Sequence, residues 1–255
     1  MDVEPTLPPL DVEPLRQNRD LRIFVAGQGI SALGDAVSIT ALPLLVLALT
    51  GSGVALGVVG ALGTLPDLAV ALFAGALADR SDRKRMMLAA DLGRAVLTAL
   101  IPISVALGGP TMGVILVVAA PLSVLRAVFR SGYISSLPSL VGRPQLAPAN
   151  ALLETVYSVA FIVGPTIAGV LAAAVGPGPT IAIDAVSYAI SSLGLFLVSR
   201  DLRPPADRAP SSIVADVREG IVHIVNDPLL RAAILVFSSY SAAIASVVAG
   251  LAFRI

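Results

Sequence analysis

Residues 75–85, GALADRSDRKR, interrupt a long apolar run with six charges in the seven residues from Asp79 to Arg85, and apolar sequence resumes at Met86. Ionisable side chains are costly inside a bilayer, so a charged knot between two apolar segments of membrane length reads as a tight aqueous turn. Arg80, Arg83, Lys84 and Arg85 are basic. Lys and Arg collect on the cytoplasmic side of membranes, so this turn is expected to face the cytosol and to orient the segments on either side.

Of the 255 residues, 56% are hydrophobic and 13% charged. A soluble domain carries roughly a quarter of its residues charged, so the surface of this chain is predicted to face lipid. The net charge is zero, which leaves no global field to recruit nucleic acid. Without cysteine there can be no disulfide, thiolate metal site or cysteine catalysis. Residues 1–20 hold four prolines and mixed charge, and lack the basic start and apolar core of a secretory signal. They read as a disordered cytosolic tail.

A membrane span needs about 20 mainly apolar residues. That rule predicts seven spans, at residues 21–49, 54–78, 86–107, 112–137, 152–175, 180–198 and 229–253. Three connections, TGSG at 50–53, GGP at 108–110 and GPGP at 176–179, are short, rich in Gly and Pro, and free of Lys and Arg. The other side receives Arg16, Arg19, Arg22, the knot, Arg130, Arg143, Arg200, Arg203, Arg208 and Arg218. This one-sided bias predicts a multi-pass protein of the plasma membrane with a cytosolic N-terminus; Arg254 is the exception. In the fourth span, residues 111–125 would cover only about 22 Å. The helix is therefore expected to run on towards Pro138, with Arg126 inside the membrane and Arg130 one turn nearer the cytosol.

Residues 200–228 form a polar linker ending in an amphipathic helix, with Ile213, Val214, Val217, Ile221, Ile224 and Val225 at helical spacing. Asp227 and Pro228 suit the N-cap and first position of the seventh span. The domains are then the tail (1–20), a six-span bundle (21–199), the linker (200–228) and a seventh span (229–255). AGALA at 74–78 and AGVLA at 168–172 form a faint internal echo. The expected fold is an all-α membrane bundle of two inverted three-helix repeats plus the seventh span.

With these residues in place, the chain resembles the major facilitator superfamily of secondary transporters. Gly75, Leu77, Asp79, Arg80, Arg83, Lys84 and Arg85 match its loop signature G-x-L-x-D-R-x-G-R-K-R, and Asp82 stands where the pattern has Gly. That departure is similar to the enterobactin-exporter and macrolide-efflux branch, as are LGDAVSITALPLLVLALTGS from Leu33, QLAPANAL from Gln145 and IDAVSYAISS from Ile183. Ala160, Gly164, Pro165, Ala168 and Gly169 resemble the exporter signature GxxxGPxxGG, with Ala at two glycine positions. Arg126 matches the fourth-span Arg signature, while Arg130 takes a Gly position. The resemblance implies alternating access and export. It also implies that the knot acts as a conformational latch against a second half-bundle, which is expected as an intramolecular partner because the family has twelve spans.

Ionisable residues within spans are site candidates by default. Asp35 lies 13 residues beyond Arg22 and 16 before Gly51, near mid-membrane, and Asp67 falls at a similar depth on the next span. Either could titrate and couple proton entry to substrate exit. Alternatively, each is tied to a hydroxyl, to backbone opened by Pro43 or Pro66, or to Arg126. Asp91 and Arg94, spaced i,i+3, are expected as a local pair steadying a helix end. A sharper reading joins them with Asp79, Arg83 and Arg126 in a cytosolic network. Glu154 and Asp184 are expected near the interfaces, and His223 at a surface. Gly164 and Pro165 should permit close packing.

No phosphate loop, metal cluster or nucleophile–base pair occurs, so the reading is a transporter without cofactor or enzymatic activity. Its partners are the lipid bilayer, protons and a small amphiphilic molecule, drug-like or siderophore-like. The rival reading is a half-transporter inactive alone, a membrane fragment or interaction partner.

Overall fold

In lipid the backbone must satisfy its own polar groups, so each apolar segment folds as a helix whose ends are set by particular side chains. The computed structural model describes residues 14–109, 111–203 and part of 222–239. Two compact units emerge, residues 1–206 and 207–255.

In the first unit, helix α1 (Arg19–Thr50) starts at Asn18, whose side chain accepts the Leu21 N–H at 3.0 Å. It stops at Gly51, whose φ of 61° is a left-handed conformation that glycine adopts without strain. The second apolar segment differs from the single span expected over 54–78. It breaks into α2 (Gly53–Leu62) and α3 (Leu65–Ala78) at Gly63 and Thr64. The cause is local: Pro66 has no N–H and crowds the preceding turn, and the Thr64 hydroxyl donates back to the Gly60 carbonyl at 2.9 Å.

Asp82 of the knot caps α4 (Arg83–Ala106), accepting the Arg85 N–H at 3.1 Å. Helix α5 (Thr111–Val141) runs without interruption past Arg126 and Arg130, as the length argument requires. After a short 3-10 turn (Arg143–Gln145) comes α6 (Leu146–Val175), which begins six residues before the expected 152. A single-turn helix α7 (Pro177–Thr180) leads to α8 (Ala182–Leu197). Among the described residues, six stretches are long and apolar enough to cross a membrane by length and composition. Their outward faces carry large apolar side chains such as Val117, Ile162 and Phe196.

The packing follows the inverted repeat. Helix α1 packs most extensively on α8 and α6, while α5 packs on α4 and α3. Exchanging the first three spans with the last three converts each of the first pair of contacts into one of the second. The contact of α4 with α8 maps onto itself. The resulting core is layered. One apolar cluster, including Leu21, Phe24, Met87, Phe129 and Leu195, lies at the knot end, and another, including Leu45, Val46, Ile101, Ile115 and Ile181, at the opposite end. On α1, α4, α5 and α8 alike, a set of polar residues falls between these clusters: Gln28, Ser31 and Asp35; Asp91, Arg94 and Thr98; Ser123 and Arg126; and Asp184, Ser187 and Ser191.

In the second unit, Asp227 accepts the N–H groups of Leu229 at 2.8 Å and Leu230 at 3.2 Å, the N-cap geometry expected of it. The linker residues 204–221, His223 and most of the seventh span lie outside the described residues.

Candidate functional site

The polar layer opens into a cavity of 410 Å³. Asp35 from α1, Arg126 from α5, Tyr157 from α6 and Asp184 from α8 bring polar atoms to its wall, and Leu42, Val59 and Phe161 are among the apolar residues that complete it. Gly60, Gly63 and Thr64 also line it, so the break between α2 and α3 faces the cavity. Irregular backbone at membrane depth is tolerated where it borders such a space.

The two candidate carboxylates are held differently. Asp35 accepts a hydrogen bond from the Tyr188 hydroxyl at 2.5 Å. Asp67 is paired with Arg130 at 3.0 Å, its own N–H donates to the Ser123 hydroxyl at 2.8 Å, and it is not among the residues lining the cavity. The structure therefore brings Asp35 and Arg126 to one cavity and gives Asp67 a partner of its own.

Asp184 corrects an expectation. Although it lies in the first turn of α8, it is buried beside the Ser187 hydroxyl rather than placed at an interface. The reason is the turn before it: Gly178 and Thr180 are buried, with Gly178 against Val105, so α8 starts inside the bundle. Gly34 of α1 faces Ser187 and Asp184 so closely that a Cβ there would overlap them. Glu154 is exposed, in the third turn of α6.

Asp91 and Arg94 form an ion pair, 0% and 3% exposed, in the middle of the core rather than at a helix end. The Arg94 guanidinium lies 4.2 Å from the Phe129 ring centroid and 4.3 Å from that of Tyr188. Cation–π contact of this kind offsets part of the cost of burying a charge. The contacts of the pair lead through Tyr188 to Asp35 and the cavity.

The knot is bound into its own bundle. Buried Arg83 donates to the Ala78 carbonyl at 3.2 Å and the Ser135 carbonyl of α5 at 2.8 Å, and approaches Asp79 at 4.0 Å. Lys84 donates to the carbonyls of Phe196 at 3.0 Å and Val198 at 2.6 Å, where α8 ends and its carbonyls lack helical partners. Arg85 pairs with Asp82 at 3.4 Å, and Arg203 reaches the same carboxylate at 3.5 Å. Arg80 is exposed, and Gly75 has open space where a side chain would be.

The exporter-like motif lies where α6 crosses α1. Ala160, Gly164 and Ala168 are buried. A Cβ on Gly164 would overlap the Ala36 side chain and come within 3.1 Å of its backbone. Pro165 lies inside α6 without ending it, and Gly169 has open space around it.

Tyr188, Tyr157, Ser123 and the buried role of Asp184 were missed by reading charges singly. The signal was present in the sixth span, where Asp184, Ser187, Tyr188, Ser191 and Ser192 recur at helical spacing and form a polar stripe on an apolar helix.

A family model described as Major Facilitator Superfamily matches residues 24–253. The chain belongs to the Major Facilitator Superfamily. It is 31% identical over 206 residues to the multidrug efflux pump Tap of Mycolicibacterium fortuitum, an alignment covering 78% of this chain and 50% of that protein. The Mycobacterium tuberculosis pump of the same name is 32% identical over 211 residues, covering 79% and 50%. Macrolide efflux protein A of Streptococcus pyogenes is 27% identical over 218 residues, covering 84% and 53%. The chain thus spans about half the length of the curated superfamily relatives it matches. No solved structure gives a significant match.

Proposed function

We propose that residues 1–255 supply the first half-bundle of a superfamily exporter, which expels small amphiphilic molecules, drug-like or siderophore-like, in exchange for protons. The bundle resides in the plasma membrane with its N-terminus and knot in the cytosol, and it rocks against a second bundle about the central cavity. The observation that carries this reading is the 410 Å³ cavity, whose mainly apolar wall presents Asp35, Arg126 and Asp184 midway through the bundle. The apolar wall suits the body of an amphiphile. Carboxylates and a guanidinium lining one intramembrane cavity suit a site that exchanges a proton as the cavity changes sides. The resemblance to efflux pumps and to the exporter motif supports the outward direction.

The test is transport by the complete gene product in an efflux-deficient host and in inverted vesicles with an imposed proton gradient. Gradient-dependent accumulation of a fluorescent amphiphile, lost in Asp35→Asn at unchanged membrane abundance, is the expected result. Undiminished accumulation by Asp35→Asn removes Asp35 from the coupling.

A second reading is favoured by the alignment to half of each relative: residues 1–255 alone transport nothing and act as a half-bundle. Vesicles holding only these residues separate the two, since gradient-driven uptake by them excludes the inert half.

A further inference from the structure

Tyr188 joins two buried polar systems that the functional reading treats separately. Its hydroxyl donates to Asp35 at 2.5 Å, and its ring, like that of Phe129, packs against the Arg94 guanidinium. Arg94 is in turn paired with Asp91, one turn away on α4. Tyr188 is 2% exposed. We propose that Tyr188 is the positioning residue of the Asp35 carboxylate, linking the cavity acid on α1 to the buried ion pair on α4. This rests on the reading of Asp35 as the group that exchanges a proton.

Two constraints fix where the hydroxyl points. A buried guanidinium that left its aromatic neighbours would lose part of the compensation for its burial, so Arg94 holds the Tyr188 ring in place. A buried phenol also needs a partner, and among the described residues the bond it makes is to Asp35. Ring plane and hydroxyl direction are therefore set from opposite sides, which leaves the carboxylate one bonded oxygen in a fixed place.

The groups facing Asp35 from the packed elements are Tyr188 and Asp184 on α8, Arg94 and Asp91 on α4, Arg126 on α5 and Tyr157 on α6. Of these, Tyr188 gives the carboxylate a direct hydrogen bond. When Asp35 takes up a proton, the demand for a donor falls and the hold of α8 on α1 at this depth loosens. Proton uptake is thereby read by helix packing, and the Asp91–Arg94 pair serves as the neutral anchor.

The experiment is the pH profile of gradient-driven efflux by the complete gene product and its Tyr188→Phe variant. Tyr188→Phe keeps the ring over Arg94 and removes only the donor. A hydrogen bond to a charged group is worth enough that its loss is expected to displace the profile by about one pH unit. A Tyr188→Phe profile that coincides with the parent overturns the proposal. If Tyr188→Phe fails to reach the membrane, 3,5-difluorotyrosine at position 188 supplies a stronger donor of nearly the same shape, and a displaced profile is expected; a profile that coincides with the parent overturns it. Asp35→Asn is run alongside. If it keeps the parent pH dependence, the proton reading and the proposal fall together; if it is inactive while Tyr188→Phe is unshifted, only the proposal falls.

Discussion

Asp67 is bonded to Arg130 at 3.0 Å, whereas Arg126, one turn away on the same helix, lines the cavity. Two arginines that the sequence places four residues apart are thus given different tasks. Arg130 ties α3 to α5, and Arg126 is left to the cavity.

The pair predicts a thermodynamic cycle. Asp67→Asn leaves Arg130 without its counter-charge within a membrane-spanning helix, and Arg130→Gln strands the carboxylate. Each is expected to lower stability by about 0.2–1 kcal/mol, because the Arg130 side chain is 52% exposed. The double variant is expected to recover much of that loss. Unfolding in detergent, followed by circular dichroism, checks it, and strictly additive losses would mean the two side chains do not interact.

A packing prediction follows from the crossing of α6 on α1. Gly164→Ala places a methyl against the Ala36 side chain and within 3.1 Å of its backbone, so the helices must part. Overpacking of this kind costs about 1–3 kcal/mol. Gly169→Ala, in open space, is the matched control and should be within about 0.5 kcal/mol of the parent. Thermal stability of the two purified variants checks the difference. Equal melting temperatures for Gly164→Ala and Gly169→Ala would overturn the assignment of Gly164 to close packing.

Those glycines illustrate what the sequence makes legible and what it conceals. Span lengths, connections and the continuation of α5 past Arg126 were readable because they depend on local apolar length and on the position of charges along the chain. The motif marked Gly164 and Gly169 equally, and only the packing of α1 distinguishes them. Likewise the knot advertised its charges, but not that Arg83 and Lys84 bind carbonyls of α5 and α8, contacts 52 and more than 100 residues away. The break at Gly63 was written in Gly60, Gly63 and Pro66, but average apolarity hid it. Asp184 was misplaced because depth was counted along one helix, while its burial depends on how Gly176 to Thr180 fold into the bundle.

The Asp91–Arg94 pair yields the sharpest stability contrast. Both side chains are removed from solvent, and among the described residues the second oxygen of Asp91 and the Arg94 Nε have no hydrogen-bond partner, so neither charge is fully compensated. Removing one partner of a buried pair exposes the full cost of the other, and Asp91→Asn or Arg94→Gln is expected to lose about 3–5 kcal/mol. Removing both charges together cancels that cost, so Asp91→Leu with Arg94→Met should be close to the parent in stability or above it. Met retains contact with the Phe129 and Tyr188 rings through its sulfur. The measurement is chemical or thermal unfolding of all four proteins in one detergent. If the double variant is as unstable as the worse single one, the pair is a net source of stability and not a charge pair tolerated in the core. If it is stable yet transport-deficient, the pair is retained for its place beside Tyr188 and Asp35, where an apolar substitute fills the volume but cannot hold the ring by its charge.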